Sequence, residues 1–386
     1  MSRRTFLSTV AAGVLVGGSA SAARSAHPAS DGARRWENAI IVNALGSLGN
    51  PNQSGRESES RARPGPRLLD ARALREAHES GLTAVNVTLG YVAGSAEPFE
   101  LTIRSIADWE ERIRLQSPHL MKVYTADDIV RAKRERRIGI IYGFQNAAMV
   151  GEQAERIDLF ANFGVRAIQL TYNTANQVGD GAMVPEDRGL KPFGREVVER
   201  LNANRIMVDL SHSGTRTCLD AARFSKQPVS INHTGCRALV DLPRNKSDEE
   251  LRLVASRGGF IGIYFMPFLN AAGHARAEDV VAHVEHAVSV CGEDHVGIGT
   301  DGPVTAIDDL ESYKTRLAQE VERRRAAGVG ATGERADTFP FVLDLRGVNQ
   351  FYELAERLRR RGHSTTRIEK ILGLNFLRYA REVWGA

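Results

Sequence analysis

The chain has 386 residues, of which 42% are hydrophobic and 25% charged, and its formal net charge is +4. That is ordinary globular composition, long enough for one large domain or two small ones. The basic residues are spread through helical stretches rather than gathered into a stripe, which argues against nucleic acid as a partner. Cys218, Cys236 and Cys291 form no CxxC pattern. A disulfide framework is therefore not expected, although a single pair in an oxidising compartment stays open.

The first residues predict export. Ser2-Arg3-Arg4-Thr5-Phe6-Leu7 is a twin-arginine pattern, followed by an apolar stretch from Val10 to Val16 and a small-residue site at Ala20-Ser21-Ala22. The apolar part is too short for a permanent membrane anchor. The expected organisation is a signal peptide over 1–22, a loose Ala/Ser-rich segment over 23–36 and one domain over 37–386. The mature chain, without Arg3 and Arg4, would be periplasmic or secreted, and the twin-arginine export machinery would be a partner.

Residues 50–66 are rich in Gly, Ser, Pro and charge and read as an exposed loop. Around it the chain alternates short apolar runs with amphipathic stretches. The runs are Ala39–Leu45, Thr83–Leu89, Gly139–Phe144, Arg166–Leu170, Met207–Leu210, Pro228–Ile231, Gly259–Phe265 and Val296–Gly299. Short Ile/Val-rich runs of this kind mark strands buried on both faces. Helical patterns between them include Ala126–Arg136, Ala154–Phe163, Phe193–Asn204, Asp248–Ser256 and Ala277–Cys291. Eight strands with intervening helices predict an α/β fold, a (β/α)8 TIM-type barrel in a single domain. A doubly wound open sheet would give the same string. The tail from Val348 to Trp384 predicts two extra C-terminal helices outside the barrel.

In such a barrel, side chains at the C-terminal strand ends point into the active site. Met207–Leu210 runs into Ser211-His212-Ser213, Pro228–Ile231 into Asn232-His233-Thr234, and Val296–Gly299 into Thr300-Asp301-Gly302. Two histidines and an aspartate at equivalent places make a candidate metal or catalytic group, since imidazole and carboxylate suit Zn²⁺ and similar ions. Tyr264, Phe265, Met266 and Phe268 are candidates for one wall of a substrate pocket, or for barrel packing.

Val208-Asp209-Leu210-Ser211-His212, Pro228-Val229-Ser230-Ile231-Asn232-His233 and Val296-Gly297-Ile298-Gly299-Thr300-Asp301-Gly302 occur in an order and spacing similar to the later motifs of the membrane (renal) dipeptidase family, peptidase family M19. Gly373-Leu374-Asn375-Phe376-Leu377-Arg378 resembles that family's closing helix. The resemblance implies a metal-dependent hydrolase of dipeptides or related small amides. It places Arg244 at the substrate-binding arginine and Tyr172, followed by Asn173, at a strand-end histidine near the scissile carbonyl. It also exposes departures. Leu45 and Ser47 stand where the family has a His-x-Asp metal pair, and Gln145 where it has a bridging glutamate. Leucine cannot bind a metal, and a neutral amide does not offset repulsion between two cations.

The expected ligand set is therefore His212, His233, Asp301 and Gln145, holding one ion at most, Zn²⁺ or another divalent metal. Asp301, Arg244 and Tyr172 are expected to be catalytic, with Arg244, Tyr172 and Asn173 contacting a dipeptide or other small-molecule substrate. A homodimer is compatible with the sequence. The alternative is a catalytically altered protein on the same fold, either a binding or assembly factor or a tailoring enzyme for an exported metabolite.

Overall fold

The computed structural model describes residues 35–53 and 68–385. The predicted signal peptide, most of the segment over 23–36 and most of the loop over 50–66 lie outside the described residues. The first half runs β1 (Ile41–Gly46), α1 (Ala71–Glu79), β2 (Leu82–Thr88), α2 (Pro98–Leu115), β3 (Leu120–Lys122), α3 (Ala126–Glu135), β4 (Ile138–Phe144), α4 (Arg156–Asn162) and β5 (Val165–Gln169). Then follow α5 (Pro192–Ala203), β6 (Met207–Asp209), α6 (Thr215–Phe224), β7 (Ser230–Thr234), α7 (Asp248–Ser256), β8 (Phe260–Ile263), α8 (Ala277–Cys291) and β9 (Val296–Ile298). The chain ends with α9 (Leu310–Ala326), α10 (Gln350–Arg360), α11 (Thr365–Glu369), a π-helical turn over Lys370–Leu374 and α12 (Asn375–Trp384).

The strands are parallel and ordered β1-β2-β4-β5-β6-β7-β8-β9, with β3 as an addition that pairs with the start of β4. Ser47 bridges to Pro303, and Asp301 N–H donates to Leu45 C=O at 2.9 Å, so the last strand returns to the first. This is the (β/α)8 TIM-type barrel in one domain. Its strands are buried on both faces because helices cover the outside and side chains fill the inside. Val42, Ala84, Ile141, Ala167, Met207 and Phe260 belong to one apolar cluster, while Ile41, Val85, Ile140, Ile168, Val208 and Ile261, one residue along each strand, belong to a second. That alternation is the two-residue period of a strand, sorting side chains between barrel interior and helix layer. Backbones approach closely at β7: a Cβ on Gly299 would lie 1.9 Å from Asn232 C=O, and one on Gly262 2.0 Å from it.

Two expectations need correction. The tail holds more than two helices, and its last one is not merely outside the barrel. Phe376 and Tyr379 of α12 pack on Phe260 at ring separations of 5.2 and 6.1 Å, in the same cluster as the inward strand residues. Helix α12 therefore closes the end opposite the strand C-termini. Strand β7 also begins and ends later than its apolar run, so His233 lies within the strand rather than beyond it. No helix among the described residues is long and apolar enough to cross a membrane.

Candidate active site

A cavity of about 460 Å³ opens at the C-terminal strand ends. Tyr172, Asn173, His212, Arg244 and Asp301 all line it. These five come from four places: the turn after β5, the turn after β6, the loop after β7 and the turn after β9; His233, within β7, is not among the lining residues. Asp301 holds its place with a left-handed φ of 58° and the backbone bond to Leu45.

His212 is oriented by a chain of hydrogen bonds. The Asn173 amide donates from Nδ2 to Val329 C=O at 2.9 Å, which turns its Oδ1 toward His212 Nδ1 at 2.7 Å. An amide oxygen only accepts, so the imidazole proton sits on Nδ1 and the lone pair on Nε2. Nε2 is buried with no partner, as are both ring nitrogens of His233. The two rings are 4.9 Å apart, and Tyr172 stacks on His212 at 4.2 Å. Burial, reinforced by Arg244, holds both histidines well below the ordinary imidazole range, so both are neutral. Asp209 braces the turn, accepting from Ser211 N–H at 3.0 Å, Ser211 Oγ at 2.5 Å and Asn232 N–H at 3.0 Å. Ser211 Oγ in turn accepts from His233 N–H at 3.1 Å.

Charge around these rings is mixed. Arg244 is buried and donates to Ser211 C=O at 2.6 Å. Asp301 is pushed up to about 6, chiefly by burial, against the opposing pull of Arg244 and Arg324. Burial also raises Tyr172, which stays a neutral phenol; its oxygen accepts from Arg324 Nη2 at 3.3 Å, leaving its own proton to donate.

The structure redistributes several sequence-predicted roles. Asn173 lines the cavity, but its amide is committed to His212 and Val329, so it positions the imidazole. Gln145 is outside the cavity lining and donates from Nε2 to Thr88 Oγ1 at 2.8 Å. Met266 and Phe268 line the cavity, whereas Tyr264 is buried behind it with its hydroxyl on Asn245 Oδ1 at 2.5 Å. The outer wall was not anticipated. It comes from α9 and the following loop through Leu317, Val321, Arg324 and Glu334, with Arg324 donating to both Glu334 oxygens at 2.8 and 3.0 Å. The available signal was length, since the stretch between the Asp301 motif and the tail far exceeds an ordinary connection.

A profile of the membrane dipeptidase family, peptidase family M19, matches residues 67–329. The chain belongs to the membrane dipeptidase family. Among its relatives, dipeptidase tcpJ of Claviceps purpurea (strain 20.1) is 29% identical over 286 residues, which cover 73% of this chain and 60% of that protein. The chain thus spans less than two thirds of that relative. An amidohydrolase from Pseudomonas aeruginosa is similar in structure, with TM-score 0.75 and 31% identity over 92% of this chain and 99% of that one. A Rhodobacter sphaeroides metallopeptidase liganded with a phosphinate mimic of L-Ala-D-Ala shares the fold, with TM-score 0.70 and 18% identity over 89% and 99% of the two chains.

Dipeptidase-family membership implies metal, and the donor chemistry decides how much of it fits. A family-style pair does not fit: Leu45 is a buried alkyl group whose backbone closes the barrel, and Gln145 is neutral and held by Thr88. Among the described residues no three or more His, Cys, Asp or Glu side chains gather closely enough to hold an ion. Asp301 therefore does not join the histidines as expected; the charges that act on it are Arg244, Arg324 and Glu334. One ion does fit. Two neutral, adjacent imidazoles offer unpartnered nitrogens, and one is fixed through its other nitrogen as metal-binding histidines usually are.

Proposed function

We propose that this chain is an exported hydrolase of dipeptides or related small amides that works with a single divalent ion, Zn²⁺ or a similar metal. The observation that carries the reading is His212: its Nδ1 proton is pinned by Asn173 and its Nε2 lone pair is free, beside His233 and at the wall of a substrate-sized cavity. Such a cavity with a few convergent polar groups is the usual form of a small-molecule site.

In this reading His212 and His233 hold the ion, which when bound supplies Lewis-acid polarisation of the amide carbonyl. The remaining work falls to the chain. Arg244 fixes a substrate carboxylate through its guanidinium. The Tyr172 hydroxyl donates to the carbonyl oxygen as negative charge builds there. Asp301 takes the proton of the attacking water on a carboxylate oxygen and returns it to the departing nitrogen. The buried Leu45, in place of a ligand, favours the second reading, a binding or tailoring protein on a dipeptidase scaffold. Hydrolysis of a dipeptide panel by the Zn²⁺-supplemented protein separates the two. Turnover that falls at least 100-fold in Asp301→Asn supports the hydrolase. No turnover of any member, or turnover indifferent to Asp301→Asn, rejects it.

A further inference from the structure

The cavity's charges are not balanced. Among its acids, Glu334 has both oxygens bound by Arg324, and Glu320 is paired with Arg323. Two cations that line the same cavity have no such partner. Arg244 is buried, donates only to a backbone carbonyl, and has no carboxylate at ion-pair distance among the described residues. Arg316 lies against the Tyr313 ring and donates to Pro51 C=O at 3.4 Å, again with no carboxylate at ion-pair distance among the described residues. The lone unpaired acid is Asp301, which the proposed reaction already uses.

A buried guanidinium with one neutral acceptor is incompletely compensated, and an anionic ligand group would complete it. A free ammonium entering the same space would meet Arg244 and Arg316 and find only Asp301 to offset them. Apolar side chains line it beside these charges: Met266 and Phe268 after β8, and Leu317 and Val321 from α9. That surface suits an alkyl chain, not a charged amine.

Resting on the hydrolase reading above, we infer that the preferred substrate is an N-acylated amino acid rather than a free, zwitterionic dipeptide. The carboxylate sits on Arg244, the acyl chain lies along Met266, Phe268, Leu317 and Val321, and Arg316 adds attraction at the rim. Water adds to the acyl carbon, the C–N bond breaks, and the nitrogen leaves with a proton. The products are a fatty or short-chain carboxylate and a free amino acid.

Titration calorimetry tests this without requiring turnover. The ligands are N-hexanoyl-DL-alanine, its C-terminal amide and DL-alanyl-DL-alanine, each titrated into the full protein with Zn²⁺. N-hexanoyl-DL-alanine should bind at least tenfold more tightly than either of the others. Arg244→Gln should reduce it to the level of the amide, and Arg316→Gln, at the rim where folding is not at risk, should weaken it several-fold. Dipeptide binding as tight as that of the acyl amino acid overturns this inference and leaves the hydrolase reading standing. Anionic binding unchanged in Arg316→Gln removes the rim contribution and overturns the two-arginine account. Binding of none of the three ligands removes both the inference and the reading on which it rests.

Discussion

Glu250→Gln isolates a buried charge beside the site. Glu250 and Lys246 face each other at 3.0 Å with side chains 0% and 1% exposed, and Lys246 Nζ also donates to Ser213 C=O at 2.5 Å, next to His212. The substitution keeps the local fold. Ser247 and Glu250 form a capping box at the start of α7, with Ser247 N–H donating to Oε2 at 2.9 Å, and a glutamine oxygen can serve there. What disappears is the charge opposite Lys246. Breaking a buried pair from one side costs about 3–5 kcal/mol. Lys246 could escape by losing its proton, but from an ordinary pKa that costs about 5 kcal/mol at pH 7, so the ceiling is similar. For a chain of this size the fall in Tm is about 5 °C. Burial pushes Glu250 up, but Lys246, the Ser247 N–H and Arg237 outweigh it and hold the carboxyl below its usual range. In the wild type its contribution is therefore present above the unfolded carboxylate pKa and lost as pH falls through the folded value. In the variant, Lys246 must stay buried without a counter-charge or give up its proton, and giving it up becomes easier as pH rises, so the loss of stability should be smaller at pH 9 than at pH 7. Differential scanning calorimetry at pH 7 and pH 9 reads both effects. A Tm within 1 °C of wild type at both values would show that water reaches Lys246 and that the pair is not sealed. A Lys246→Met/Glu250→Met double variant should recover most of the loss.

His283 should make the fold acid-labile: its Nδ1 accepts from Cys236 N–H at 2.9 Å, its Nε2 faces Leu269 C=O at 3.1 Å, and burial lowers it to about 4. A histidine depressed in the folded state loses its contribution as pH falls from its ordinary value, here about 2 kcal/mol between pH 7 and pH 5, and urea titrations of wild type and His283→Gln should differ in pH slope by that amount; equal slopes would refute it. Replacing Arg3 and Arg4 by Lys should trap precursor in the cytoplasm, as read by fractionation and immunoblotting, while unchanged export would reject the twin-arginine assignment.

His212 and Asp301 were legible because each ends a short Ile/Val-rich run, and at that end of a barrel the chain leaves the sheet toward the mouth. The alternation of inward and outward residues was legible for the same reason: burial on both faces leaves an uninterrupted apolar run. His233 was found but misplaced, since β7 continues through Asn232, whose carbonyl is approached closely by Gly262 and Gly299 and which looks polar in the sequence. The role of Asn173 was not legible, because it depends on Val329, which arrives from a loop 156 residues further along the chain. Arg324 and Glu334 carry no local motif, since α9 is charged on most sides and the part facing the cavity is fixed only when the loop folds over Tyr172. Helix α12 looked like an external tail because an aromatic-rich amphipathic helix reads alike whether it lies on a barrel or plugs its end.

In the proposed reading, this dipeptidase-family site keeps the means to hold one ion and has lost the means to hold two. A charged bridge and private ligands are needed to bring two dications together, and Leu45, Ser47 and Gln145 supply neither. The direct measurement is metal stoichiometry by elemental analysis after gentle purification and equilibration with Zn²⁺, on the wild type and on a His212→Ala/His233→Ala double variant. One ion per wild-type chain and none in the double variant is the expected result; two tightly held ions per chain, or one ion that survives loss of both histidines, would overturn the single-ion reading.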